Sequence, residues 1–173
     1  MRKTLKKILI WMFEKEINDL KQETYSGNRT HYLGDIYCER LIQEWNQHGK
    51  IVLAIDFDST ISPWGTINNL NDIKRAISIV KLAREVGAYL TIWTACNSDR
   101  FTEIKKYCNS IGLNVDSINE NPINLPFGLH KKIYYNFLLD DRASLVEALN
   151  MLEYCCYRVR CEKRPVTEQT VEF

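Results

Sequence analysis

The spacing of apolar positions changes along the chain, and each change marks an element. Leu5, Ile8, Leu9, Met12, Phe13, Ile17 and Leu20 recur at intervals of three and four, which predicts an amphipathic helix within residues 1–24. The polar stretch 25–34, with Gly27 and Gly34, reads as a loop. A second helix is predicted over 35–47, with Leu41, Ile42 and Trp45 inward and His48-Gly49 as its stop. The period then collapses into a continuous run, Ile51-Val52-Leu53-Ala54-Ile55, the pattern of a strand covered on both faces. Helical spacing returns over 70–86, ended by Gly87, and is followed by a second strand over 88–93. A helix capped by Ser98 or Asp99 is predicted to run to Ser110, with Gly112 beyond it. A short strand over 114–118, a loop over 121–128, a fourth apolar run over 133–139 and a helix over 143–154 complete the alternation. Residues 155–161 look strand-like, and the tail from Pro165 looks loose.

Strands alternating with helices predict an α/β fold: a Rossmann-like, mainly parallel sheet flanked by helices. The expected organisation is a helical N-terminal extension over 1–49, a core over 50–154 and a C-terminal strand or tail over 155–173.

Composition changes this picture little. The chain has 173 residues, 45% hydrophobic and 26% charged, with a net charge of +1. That excludes wholesale disorder, and it excludes a global field that would draw the protein to nucleic acid or to an acidic membrane. The apolar run Ile8–Phe13 is too short for a signal-peptide core or a membrane span and is followed by Glu14-Lys15-Glu16, so a cytoplasmic protein is expected. The cysteines, Cys38, Cys96, Cys108, Cys155, Cys156 and Cys161, form no CxxC pair, and they are read as free, mostly buried thiols.

The candidate chemistry lies just past the apolar runs, where parallel sheets bind ligands. Asp56-Phe57-Asp58-Ser59-Thr60 follows the first strand, Thr94 follows the second, and Asp140-Asp141 follows the fourth, with Lys131-Lys132 just ahead of it. Carboxylates crowded at the end of a buried strand suffer both desolvation and repulsion, and a cation relieves both. An all-oxygen donor set suits Mg²⁺. Taken singly, a DxD pair or an Asp-Asp pair is often a turn or a helix cap. The ordered set of carboxylates, hydroxyl and ammonium at successive strand ends points to a catalytic site.

That ordered set resembles the haloacid dehalogenase (HAD) superfamily of phosphohydrolases. Its hhhhDxDxT motif matches residues 51–60, its strand ending in Thr matches 89–94, its Lys matches Lys132, and its closing acidic pair matches Leu138-Leu139-Asp140-Asp141. Asn119-Glu120-Asn121 and Asp140-Asp141-Arg142 are similar to segments of a small, capless bacterial and phage-type subgroup. The resemblance covers residues 50–154. It implies a Mg²⁺-dependent phosphomonoesterase in which Asp56 is the nucleophile and a metal ligand. Asp58 would be the general acid/base and offer its carbonyl to the metal. Thr94 would bind the phosphoryl group and Lys132, or else Lys131, would neutralise charge. Asp140 and Asp141 would complete the metal site. Ser59, Thr60, Ala95, Trp64 and Asn119 would contact substrate. Ser59 stands where Gly is commoner, and Ala95-Cys96-Asn97 replaces the subgroup's Cys-Arg continuation, which removes an expected substrate-binding arginine.

The intervals from Thr60 to Thr94 and from Thr94 to Lys132 leave no room for a cap domain, so an open site is expected. Trp64, in Ser62-Pro63-Trp64-Gly65, could stack on a base or cover that site. The substrate is expected to be a phosphorylated small molecule, a nucleotide or a nucleic-acid end. The N-terminal helix is expected to pack on the core or to pair with a second copy of the chain rather than to enter a membrane. The readings from another class are a phospho-acceptor, whose receiver-like form the order of motifs opposes, and a catalytically silent binding module.

Overall fold

The computed structural model describes residues 32, 34–65, 69–122 and 133–163. The chain divides into two compact units, Met1–Asp35 and Ile36–Phe173. The predicted N-terminal helix, Lys131, Lys132 and the tail from Pro165 lie outside the described residues. Within the second unit the order is α1 (Ile36–His48), β1 (Val52–Ile55), α2 (Leu70–Glu85), β2 (Tyr89–Ile92), a 3₁₀ turn (Ser98–Arg100), α3 (Phe101–Ser110), β3 (Ser117–Ile118), β4 (Phe137–Leu139) and α4 (Leu145–Glu162).

The four strands form one parallel sheet in the order β3-β2-β1-β4. The α/β expectation is met, and the reason lies in β1. All four of its residues are buried, and it is paired on both sides, to β2 from Val52↔Tyr89 to Ile55↔Ile92 and to β4 from Leu53↔Phe137 to Ile55↔Leu139. Because every strand points the same way, every C-terminal end reaches one edge.

The outer strands are shorter than predicted, because side chains replace backbone where the ladder ends. Asn136 donates its N–H to the Val52 carbonyl (2.9 Å) and accepts the Val52 N–H on Oδ1 (2.8 Å). Asp116 does the same with Leu90, at 2.8 and 2.7 Å. Each side chain stands in for one peptide unit, so the register continues past the regular strand.

Two boundaries differ from the sequence reading. Residues 36–48 belong with the core unit and not with an N-terminal extension ending at 49. Cys38, Leu41, Ile42 and Trp45 of α1 are buried, and Trp45 donates from Nε1 to the Val86 carbonyl (3.1 Å). Asn46 pairs with Glu162, and Glu44 accepts from Asn136 (2.7 Å). The second correction concerns residues 155–161, which are not strand-like: α4 continues to Glu162. Leu145, Leu149, Leu152, Cys155, Cys156 and Val159 keep a helical buried stripe, and α4 packs on α1, α2 and β4. Cys-Cys-Tyr reads as β-prone in isolation, but the burial period decides.

Cys38, Cys108, Cys155 and Cys156 are core residues. Burial pushes the Cys108 thiol up to about 11 and raises that of Cys156 as well, so both stay protonated near neutrality. Among the described residues no helix is long and apolar enough to cross a membrane.

If α1 is part of the core, emptying its anchor should be felt globally. Trp45, fully buried, replaced by Ala should lose roughly 3–5 kcal/mol of unfolding free energy, read as a lower urea midpoint at unchanged slope. A loss below about 1 kcal/mol would show that the helix is a detachable appendage.

Candidate active site

Asp56 stands one residue past β1, and its N–H donates to the Leu139 carbonyl (2.8 Å), so the β1–β4 ladder runs to the site's own backbone. Asp140 follows β4 directly. One carboxylate oxygen from each of Asp56, Asp140 and Asp141 can be chosen so that all three lie within 4.8 Å of one another. The sheet thus brings Asp56 to an acidic pair that lies more than eighty positions further along the sequence.

Thr60 ties the two acidic segments together. It is fully buried, donates its hydroxyl proton to Asp56 Oδ2 (3.2 Å) and accepts the Asp141 N–H (3.0 Å). With one proton to give, the hydroxyl defines a directional chain from the Asp141 amide through Thr60 to Asp56. Thr60 was expected to touch substrate; instead it sits behind the carboxylate and orients it.

Burial pushes the Asp56 carboxyl from its ordinary 3.8 up to about 6. Asp140 and Asp141 add repulsion, while the Thr60 hydroxyl and the Phe57 amide pull the value down. Three clustered carboxylates, one of them partly desolvated, are the donor chemistry of a hard divalent cation, and their spacing allows one ion to be shared.

A cleft of about 520 Å³ opens above the cluster. Its lining includes Asp56, Asp58, Asp140 and Asp141, with Ser59, Trp64, Thr94 and Ala95 from the expected set. It also includes Trp93, Cys96, Arg100 and Arg142, which the sequence did not single out as site residues. Thr94 is nearly buried. Its Oγ1 accepts the Cys96 N–H (3.3 Å), which leaves its hydroxyl proton for a ligand. Asn119, expected to contact substrate, does not line the cleft. Its Oδ1 accepts the Thr94 N–H (2.9 Å) and its Nδ2 donates to the Thr94 carbonyl (2.7 Å), so it positions Thr94 from the end of β3. Lys132, expected to neutralise charge, lies outside the described residues.

Asp58 stands apart from the acidic cluster. Both its oxygens are taken by Arg100, Nη1 to Oδ2 at 3.1 Å and Nη2 to Oδ1 at 3.2 Å. The paired carboxylate raises the Arg100 pKa further above its already high value. The same guanidinium lies 4.7 Å from the centre of the Trp64 ring. No pattern in the sequence announces this pair, which joins residues 42 positions apart.

Backbone strain collects at the rim. The non-glycine residues with positive φ among those described are Ser59 (66°), Asn119 (53°) and Ser144 (54°), and all lie in the loops that follow β1, β3 and β4. The left-handed turn at Ser59 is a conformation that glycine adopts without strain.

No protein-family model matches this chain, and no curated protein matches it significantly. Among solved structures it is similar to a conserved protein from Bacteroides thetaiotaomicron at 24% identity, with a TM-score of 0.46, over 55% of this chain and 78% of that one.

The raised Asp56 pKa has a stability consequence of definite sign. A carboxyl whose folded value exceeds its unfolded value destabilises the fold when ionised, so the penalty is full above pH 6 and absent below pH 3.8. Asp56→Asn should therefore raise the melting temperature of metal-free protein by a few degrees at pH 8, on the order of 1 kcal/mol after discounting for partial exposure. The gain should fade towards pH 4. Equal melting curves at pH 8 would show that Asp56 ionises in the fold without a penalty.

Proposed function

We propose that this chain is a divalent-metal-dependent phosphomonoesterase of the HAD type, with Asp56 as nucleophile. The observation that carries the reading is the convergence of Asp56, Asp140 and Asp141 within 4.8 Å at the carboxyl edge of a parallel sheet. The motif order that resembles the superfamily supports it, as does the place of Thr94 on the same cleft. Asp56, Asp140 and Asp141 would hold Mg²⁺, which when bound would screen the acids from one another and from a phosphate ester.

In the first step an Asp56 oxygen attacks phosphorus, the bond from phosphorus to the alcohol oxygen breaks, and that oxygen receives a proton that Asp58 has taken up from solvent. In the second step water attacks the aspartyl phosphate. Asp58 takes a proton from that water, the bond from phosphorus to Asp56 breaks, and inorganic phosphate leaves. Thr94 donates to a phosphoryl oxygen where charge sits in the transition state. The chain Asp141–Thr60–Asp56 keeps the nucleophile in one rotamer throughout.

A second reading is favoured by the Asp58–Arg100 pair, which leaves the acid no free oxygen. On that reading the protein is a metal-dependent binder of phosphorylated ligands without turnover.

One assay separates the two. Purified protein should release phosphate from p-nitrophenyl phosphate with added Mg²⁺, stop with EDTA and recover when Mg²⁺ is returned. Asp56→Asn should cut turnover by at least about 10³-fold while circular dichroism stays native. Mg²⁺-dependent ligand binding without phosphate release would select the second reading, and turnover by Asp56→Asn would remove the nucleophile assignment.

A further inference from the structure

The cleft above the acidic cluster is larger than a phosphoryl group requires, and it is lined by cations as well as acids. Among the described lining residues Arg100 and Arg142 carry the positive charge. The Arg142 amide is held by Asp140 Oδ1 (2.8 Å), which fixes the start of its side chain, and its guanidinium has no hydrogen bond or ion pair to a described residue. Arg100 comes from the turn after β2 and reaches across to Asp58 and Trp64 in the loop after β1. Asp58 and Arg100 each keep a quarter of their side-chain surface in contact with solvent. Because both groups line the cleft and reach solvent, a ligand anion of the same geometry can compete with Asp58 for the Arg100 fork. A guanidinium fork that fits a carboxylate fits a phosphate equally well, and stacking on Trp64 keeps its plane oriented while the partner changes.

We infer that Arg100 and Arg142 recognise a second anionic group on the leaving side of the substrate, and that binding this group draws Arg100 from Asp58. The substrate class is thus a phosphate ester whose alcohol portion itself carries a phosphate or carboxylate. This rests on the phosphatase reading and adds to it. In the resting pair both Asp58 oxygens accept from Arg100, which opposes proton transfer at either, and a bis-anionic substrate supplies the competing anion that releases them. With an uncharged alcohol portion Arg100 stays on Asp58 for more of the time, which slows alkyl esters most and slows p-nitrophenyl phosphate least, since p-nitrophenolate leaves without needing a proton.

The test compares α,ω-alkanediol bisphosphates of increasing length with the matching alkyl monophosphates, in the full chain with Mg²⁺. The expected result is a kcat/KM preference for bisphosphates at one or more lengths. Arg100→Ala should shrink that preference by roughly 10–100-fold, and Arg100→Lys, which keeps the charge and loses the fork, should fall between. A second readout needs no turnover. Titrating metal-free protein with the preferred bisphosphate should change the Trp64 fluorescence, identified by its loss in Trp64→Phe, and the monophosphate should not. Equal kcat/KM for both series overturns the inference while leaving the phosphatase reading in place. So does an Arg100→Ala variant that loses both series equally, because Arg100 would then serve only to place Asp58. Failure of the wild type to hydrolyse any ester in either series removes the phosphatase reading and this inference with it.

Discussion

The burial of one carboxylate, Asp56, against two others is the constraint around which the site is arranged. A chain folding for stability alone would spread Asp56, Asp140 and Asp141 apart, since each is better solvated alone. Here the backbone forbids it. Asp56 and Asp140 are fixed to adjacent parallel strands, the ladder between those strands runs to the Asp56 amide, and Thr60 binds the two acidic segments to each other. The hydrophobic burial of β1 and of the α4 stripe supplies the free energy against which this local cost is set. The charge pattern is thus imposed by the core.

Much of this was legible in the order of residues, for identifiable reasons. The run Ile51–Ile55 could only be a doubly covered strand, and an acid placed directly after such a run has few places to be. Thr94 and the Asp140-Asp141 pair followed from the same logic. The ends of elements were less legible, because they depend on partners. Residues 114–116 and 133–136 read as strand from their own composition, but the structure hands their ladder bonds to the side chains of Asp116 and Asn136. The Cys155–Cys161 segment has β-prone residues and a helical burial period, and the period prevailed. The first helix of the core unit was assigned to an extension because its partners, Val86 and Glu162, lie far along the chain.

Within the site, residues tied to a strand end were found and residues tied to each other were not. Arg100 sits in a polar stretch with nothing periodic about it, and its meaning comes from Asp58 and Trp64 across the cleft. Thr60 and Asn119 were singled out by resemblance, but their roles changed. Each turned out to hold another site residue in place from behind, a relation that local sequence cannot express.

The short outer strands have a consequence for how this protein can vary. Asp116, Asn119 and Asn136 do one job, since each offers a side-chain oxygen at the distance of a neighbouring peptide carbonyl, a reach that an added methylene would spoil. Yet each is pinned by a second contact of its own: Asp116 to the Arg84 fork, Asn119 through its amide to the Thr94 carbonyl, Asn136 through its amide to Glu44 and Tyr134. Swapping acid for amide at any of them keeps the size and spoils the charge or the donor. Distant cousins that have drifted everywhere else would still be expected to spell these three positions the same way.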